Sequence, residues 1–81
     1  MGTLQGKTFS ITGKLSRGRK IIVAMIEKAG GKYIREISGK VDYVIANPDA
    51  YDRDTAKLDK AQSLGLSIID ESHFMRMLNL A

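Results

Sequence analysis

The chain predicts an α/β fold on a largely parallel sheet, and three observations predict it. Short apolar stretches alternate with amphipathic ones in the order β-α-β-β-α-β-α, the pattern of strands joined by crossover helices. The stretch Asp42-Tyr43-Val44-Ile45-Ala46 is nearly continuously apolar, as expected of a parallel strand covered on both faces. Gly30-Gly31 and Gly65 follow two helical patterns, where a left-handed residue can stop a helix.

Each element has a local reason. Met1, Gly2 and Thr3 carry no pattern and are set aside as a start-codon remnant or disordered start, leaving residues 4–80 as one domain. Phe9 and Ile11 alternate with Thr8, Ser10 and Thr12, so residues 7–12 read as the first strand. The first helix covers residues 17–29 and is expected to bury Ile21, Ile22, Met25 and Ile26. A short strand at 32–35 and a turn around Ser38-Gly39-Lys40 lead to the third strand, 42–46. Residues 47–54 form a polar loop broken by Pro48, and Asp54 or Thr55 caps a second helix at 56–64. The fourth strand is 66–69. Asp70 caps the last helix, where Glu71 suits the first turn and Phe74, Met77 and Leu78 are spaced for burial.

The totals exclude several function classes. Eighty-one residues suit one domain. No apolar run is long enough to span a membrane, so no membrane partner is expected. The absence of cysteine removes disulfides and Cys-based zinc sites and is compatible with a reducing, intracellular compartment. A single histidine, His73, has no ligand-spaced partner, and no Walker A loop or dinucleotide fingerprint is present. Catalysis, a metal and a cofactor are therefore not expected. The net charge of +4 suits a polyanion but also plain solubility, so the placement of the charges decides.

Residues 7–20 hold Lys7, Lys14, Arg17, Arg19 and Lys20 and no carboxylate. A strand that breaks at Thr12-Gly13 and feeds a helix brings together a hydroxyl, an unshielded backbone N–H and a helix N-terminus, a combination that can hold an anion. Cations at that terminus oppose the helix dipole by roughly 0.3–1 kcal/mol each, and a bound anion would compensate them. The bland alternatives are a turn glycine at Gly13 and solvated surface lysines at Lys57 and Lys60. If the first and third strands are neighbours, Thr12-Gly13 and the start of the second helix face one crevice.

At this point a family becomes recognisable. The strand ending Ser10-Ile11-Thr12-Gly13, then Ala29-Gly30-Gly31-Lys32, Val41-Asp42-Tyr43-Val44-Ile45, Lys57-Leu58-Asp59-Lys60-Ala61, Leu64-Gly65 and Ile68-Ile69-Asp70 with Phe74 together resemble a BRCT domain. The likeness is greatest to the branch in bacterial NAD-dependent DNA ligases and the large subunit of replication factor C. It implies a three-layer domain: a four-stranded parallel sheet with helices one and three on one face and helix two on the other. It also implies a non-catalytic phosphate binder, with DNA bearing a 5′-phosphate end as the expected partner. The family's hydroxyl-plus-glycine pair falls on Thr12 and Gly13 and its helix-two lysine on Lys57. Its helix-one arginine falls on Arg19, or on Arg17 across a shorter turn. Lys14, Arg17, Arg19, Lys20 and Lys60 are then the candidates to follow the DNA backbone. The other partner reading is a protein-interaction module for a phosphoprotein or other replication and repair proteins. The expected location is the cytoplasm or nucleoid in a bacterium, or the nucleus in a eukaryote.

Overall fold

Register and side-chain alternation together assign every strand residue to a layer. The computed structural model describes residues 4–47 and 55–79. Its strands β1 (Thr8–Ile11), β2 (Lys32–Tyr33), β3 (Tyr43–Ile45) and β4 (Ser67–Ile69) form one sheet in the order β2-β1-β3-β4, with every pair parallel. Phe9 pairs with Tyr43, Ser10 with Val44 and Ile11 with Ile45, and β4 continues the rows as Ser67, Ile68 and Ile69. Because strand side chains alternate with period two, Ile11, Ile45 and Ile69 share one face. Ser10, Val44 and Ile68 share the other.

Three helices cover those faces: α1 (Arg19–Lys28), α2 (Thr55–Ser63) and α3 (Glu71–Asn79). Ile22 and Ile26 of α1 and Phe74 of α3 join Leu4, Phe9, Ile11, Ile45 and Ile69 in the larger core. Phe9 sits at its centre, stacked on Tyr43 with centroids 5.2 Å apart and edge-on to Phe74 at 5.7 Å, both favourable aromatic geometries. On the opposite face Ala61 of α2 packs with Ile37, Val41 and Val44, and Leu58 packs with Ala46 and Ile68. This is the expected three-layer arrangement, with α1 and α3 together and α2 alone.

The helices follow their local signals with two corrections. Asp70 Oδ1 accepts the His73 N–H at 2.7 Å, as an N-cap should. The first helix begins at Arg19 and not near residue 17, because Gly18 (φ 80°, ψ 150°) is its N-cap. Ile21 was expected in the core but is 55% exposed. Successive helical residues point about 100° apart, and the Ile22–Ile26 line takes the core-facing position. The second strand ends at Tyr33, so Arg35 lies past it. The segment 1–3, Pro48, Tyr51 and the Asp54 cap lie outside the described residues.

Candidate functional site

The β1–α1 connection leaves the sheet at its switch point. The Thr12 N–H extends the ladder to the Ile45 carbonyl at 3.1 Å, and Ala46 N–H does the same to Ile69 at 2.8 Å. The carboxyl ends of β1, β3 and β4 therefore lie side by side, and β1 and β3 are neighbours as anticipated. Parallel sheets bind ligands in such a crevice. Gly13 turns the chain at φ 77°, in the left-handed region that favours glycine. Helix α1 starts with no side-chain cap and no acidic residue in its first turn. Lys14, Arg17, Arg19 and Lys20 are all exposed around this start.

Beside it opens a cleft of about 460 Å³, lined by Ile11, Arg19, Arg35, Glu36, Ile37, Lys57 and Lys60. Three anticipated cations thus meet in one place: Arg19 from α1, and Lys57 and Lys60 from one side of α2, three residues apart. Lys14, Arg17 and Lys20 do not line it. Gly13 and Thr12 directly follow Ile11 at its edge, but Thr12 is fully buried, at 0% exposure. Among the described residues the one ion pair is Arg17–Glu71. The four cations of the cleft are therefore not neutralised by described carboxylates within ion-pair distance.

The β1–α1 loop beside this cleft is held from behind by Glu71. Its Oε1 accepts the Ser16 N–H at 2.8 Å and the Asn47 side-chain N–H at 3.1 Å. Its Oε2 accepts the Ser16 hydroxyl at 2.7 Å and an Arg17 guanidinium N–H at 3.1 Å. The Glu71 N–H returns a bond to Asn47 Oδ1 at 3.0 Å. Burial alone would raise this carboxyl, but the hydrogen bonds from the Ser16 side chain and backbone, Asn47 and Arg17 outweigh it and lower the pKa to about 2. Three elements are tied at one point: the β1–α1 loop, the end of β3 and the start of α3.

Three residues here escaped the sequence reading. Glu71 looked like an ordinary first-turn acid, Asn47 like the start of a loop, and Arg35 like a strand residue. Composition carries no signal for the first two, since their partners are distant in sequence. For Arg35 the cue is faint: one arginine between a short strand and a turn. Among the described residues no group of three or more His, Cys, Asp or Glu side chains could hold a metal, and no helix is long and apolar enough to cross a membrane.

A four-stranded parallel sheet in the order 2-1-3-4, with helices split two to one across it, defines a small three-layer α/β domain. The chain belongs to the BRCT family: the sequence profile of the BRCA1 C Terminus (BRCT) domain matches residues 1–78. This domain is non-catalytic. Among curated proteins the chain is 46% identical over 77 residues to a DNA ligase of Campylobacter jejuni. It is 44% identical over 78 residues to one of Coprothermobacter proteolyticus, and 47% identical over 75 residues to one of a Thermoanaerobacter species. These matches cover 91–95% of this chain but 11% of each ligase.

Proposed function

We propose that this domain is a phosphate-recognition module that binds DNA, with a duplex bearing a 5′-phosphate end as its preferred ligand. In this reading it serves a DNA replication or repair protein such as an NAD-dependent DNA ligase, to which its relatives' names point. One observation carries the reading. Arg19, Lys57 and Lys60 converge with Arg35 in a cleft at the carboxyl edge of the sheet, where Glu36 is the one acidic lining residue among the described residues.

The chemistry follows from the donors. Gly13 N–H would donate to a terminal phosphate oxygen, since glycine carries no side chain of its own to block the approach, and Lys57 and Arg19 would neutralise its charge through charge-assisted hydrogen bonds. Thr12 Oγ, buried directly before Gly13, is the hydroxyl of this reading. Arg17 is tied to Glu71, which supports Arg19 as the helix-one arginine at the terminal phosphate. Lys14, Arg17, Lys20 and Lys60 would then follow the adjacent backbone. Such contacts position a protein on DNA without reading base sequence.

The test is competition. A labelled 5′-phosphorylated duplex bound to the domain is challenged with unlabelled 5′-phosphorylated duplex, 5′-hydroxyl duplex and a phosphoserine peptide. The reading expects the phosphorylated duplex to compete best. Better competition by the peptide would transfer the site to a protein partner.

A further inference from the structure

The basic cleft is larger than one phosphate needs, and Arg35 is among the residues that line it. At about 460 Å³ it falls within the ~300–1,000 Å³ range of small-molecule sites. Among the described residues four cations of unequal origin line it, two of them beyond the pair that a terminal phosphate would engage.

The position of Arg35 is built by its neighbours. The Ile34 N–H donates to the Phe9 carbonyl at 2.9 Å, beyond the last paired residue of β2. The next carbonyl, that of Arg35, accepts the hydroxyl of buried Ser10 at 3.4 Å. Ser10 lies on the sheet face that α2 covers. Two residues on, buried Ile37 packs with Ala61 of α2 and with Val41 and Val44. Arg35 is thus bracketed by two anchors to the α2 side, and its side chain lines the cleft with Lys57 and Lys60.

We propose that Arg35 and Lys60 form a second phosphate subsite, which takes the next phosphate inward along the same 5′-phosphorylated strand. This deepens the phosphate reading above and rests on it. Lys57 and Arg19 hold the terminal group, and Arg35 lines the same cleft with a planar guanidinium that can pair two phosphate oxygens at once. Among the described residues Glu36 alone opposes the cations that line the cleft. The ligand is therefore read as a strand at least two phosphates long.

Two measurements test this. In NMR titrations of the whole domain, a 5′-phosphorylated thymidine dinucleotide should shift the Arg35 side-chain N–H signal, while thymidine 5′-monophosphate should shift Gly13 and leave Arg35 unmoved. In salt titrations with a 5′-phosphorylated duplex, Arg35→Ala should lower the slope of log K against log salt by about 0.9, or about eightfold in affinity at ~0.1 M salt. Arg35→Ala should still prefer a 5′-phosphate over a 5′-hydroxyl. Exposed Lys28→Ala, at the opposite end of α1, should keep the wild-type slope. A wild-type slope in Arg35→Ala with end preference intact would overturn the second subsite alone. Equal wild-type binding to both ends would overturn the phosphate reading and the subsite together.

Discussion

The Ser16 hydroxyl donates to Glu71 Oε2 at 2.7 Å, across 55 positions of sequence, and the Ser16 N–H donates to Oε1 of the same carboxylate. One side chain at the start of α3 thereby fixes the loop between Gly13 and α1. A phosphate site made of backbone N–H groups depends on a loop held in advance, because ordering it at binding would cost affinity.

Removing that carboxylate should therefore cost stability. Glu71→Ala leaves donors on Ser16 and Asn47 without their acceptor, and Arg17 without its charge partner. The expected loss is about 1.5–3 kcal/mol in urea unfolding, the range for hydrogen bonds to charged groups. Glu71→Gln keeps the volume but sets an NH2 group among donors, so it should also destabilise. Wild-type midpoints in both variants would contradict the geometry.

The same group predicts a pH dependence. The folded pKa of Glu71, about 2, lies below its ordinary value of 4.5. The unfolded chain therefore takes up the proton first as pH falls. The stabilisation is fully present above about 4.5 and is lost as pH drops through about 2. Urea midpoints measured from about pH 6 to about pH 2 should fall more steeply for the wild type than for Glu71→Gln. Parallel curves would show that other carboxylates carry the acid sensitivity.

Helix α1 offers a comparison of adjacent isoleucines. Ile22 is fully buried, while Ile21 is 55% exposed. Ile22→Ala should cost about 2–5 kcal/mol through lost burial and a cavity. Ile21→Ala should stay within about 0.5 kcal/mol of the wild type. Similar losses at both positions would mean that Ile21 is covered in solution.

Much of this architecture could be read from residue pattern alone, and the exceptions have physical causes. The apolar run at 42–46 announced a strand covered twice, and Val44 and Ile45 do face opposite layers. Asp70 was legible as a cap because its partner, His73, is three residues away. Ile21 was misplaced because a run of apolar residues on a helix does not say which of two neighbours faces the core. Glu71 and Arg35 were overlooked for one shared reason. Their roles come from segments distant in sequence, and only the folded sheet brings those segments to them.

The central claim is that the cleft beside Gly13 recognises a 5′-phosphate. Fluorescence anisotropy with one duplex, prepared with a 5′-phosphate or a 5′-hydroxyl end and measured at two salt concentrations, tests it most directly. The account predicts tighter binding to the phosphorylated end, with that preference lost in Lys57→Ala and in Thr12→Ala. Equal affinity for the two ends, unchanged by either substitution, would contradict it.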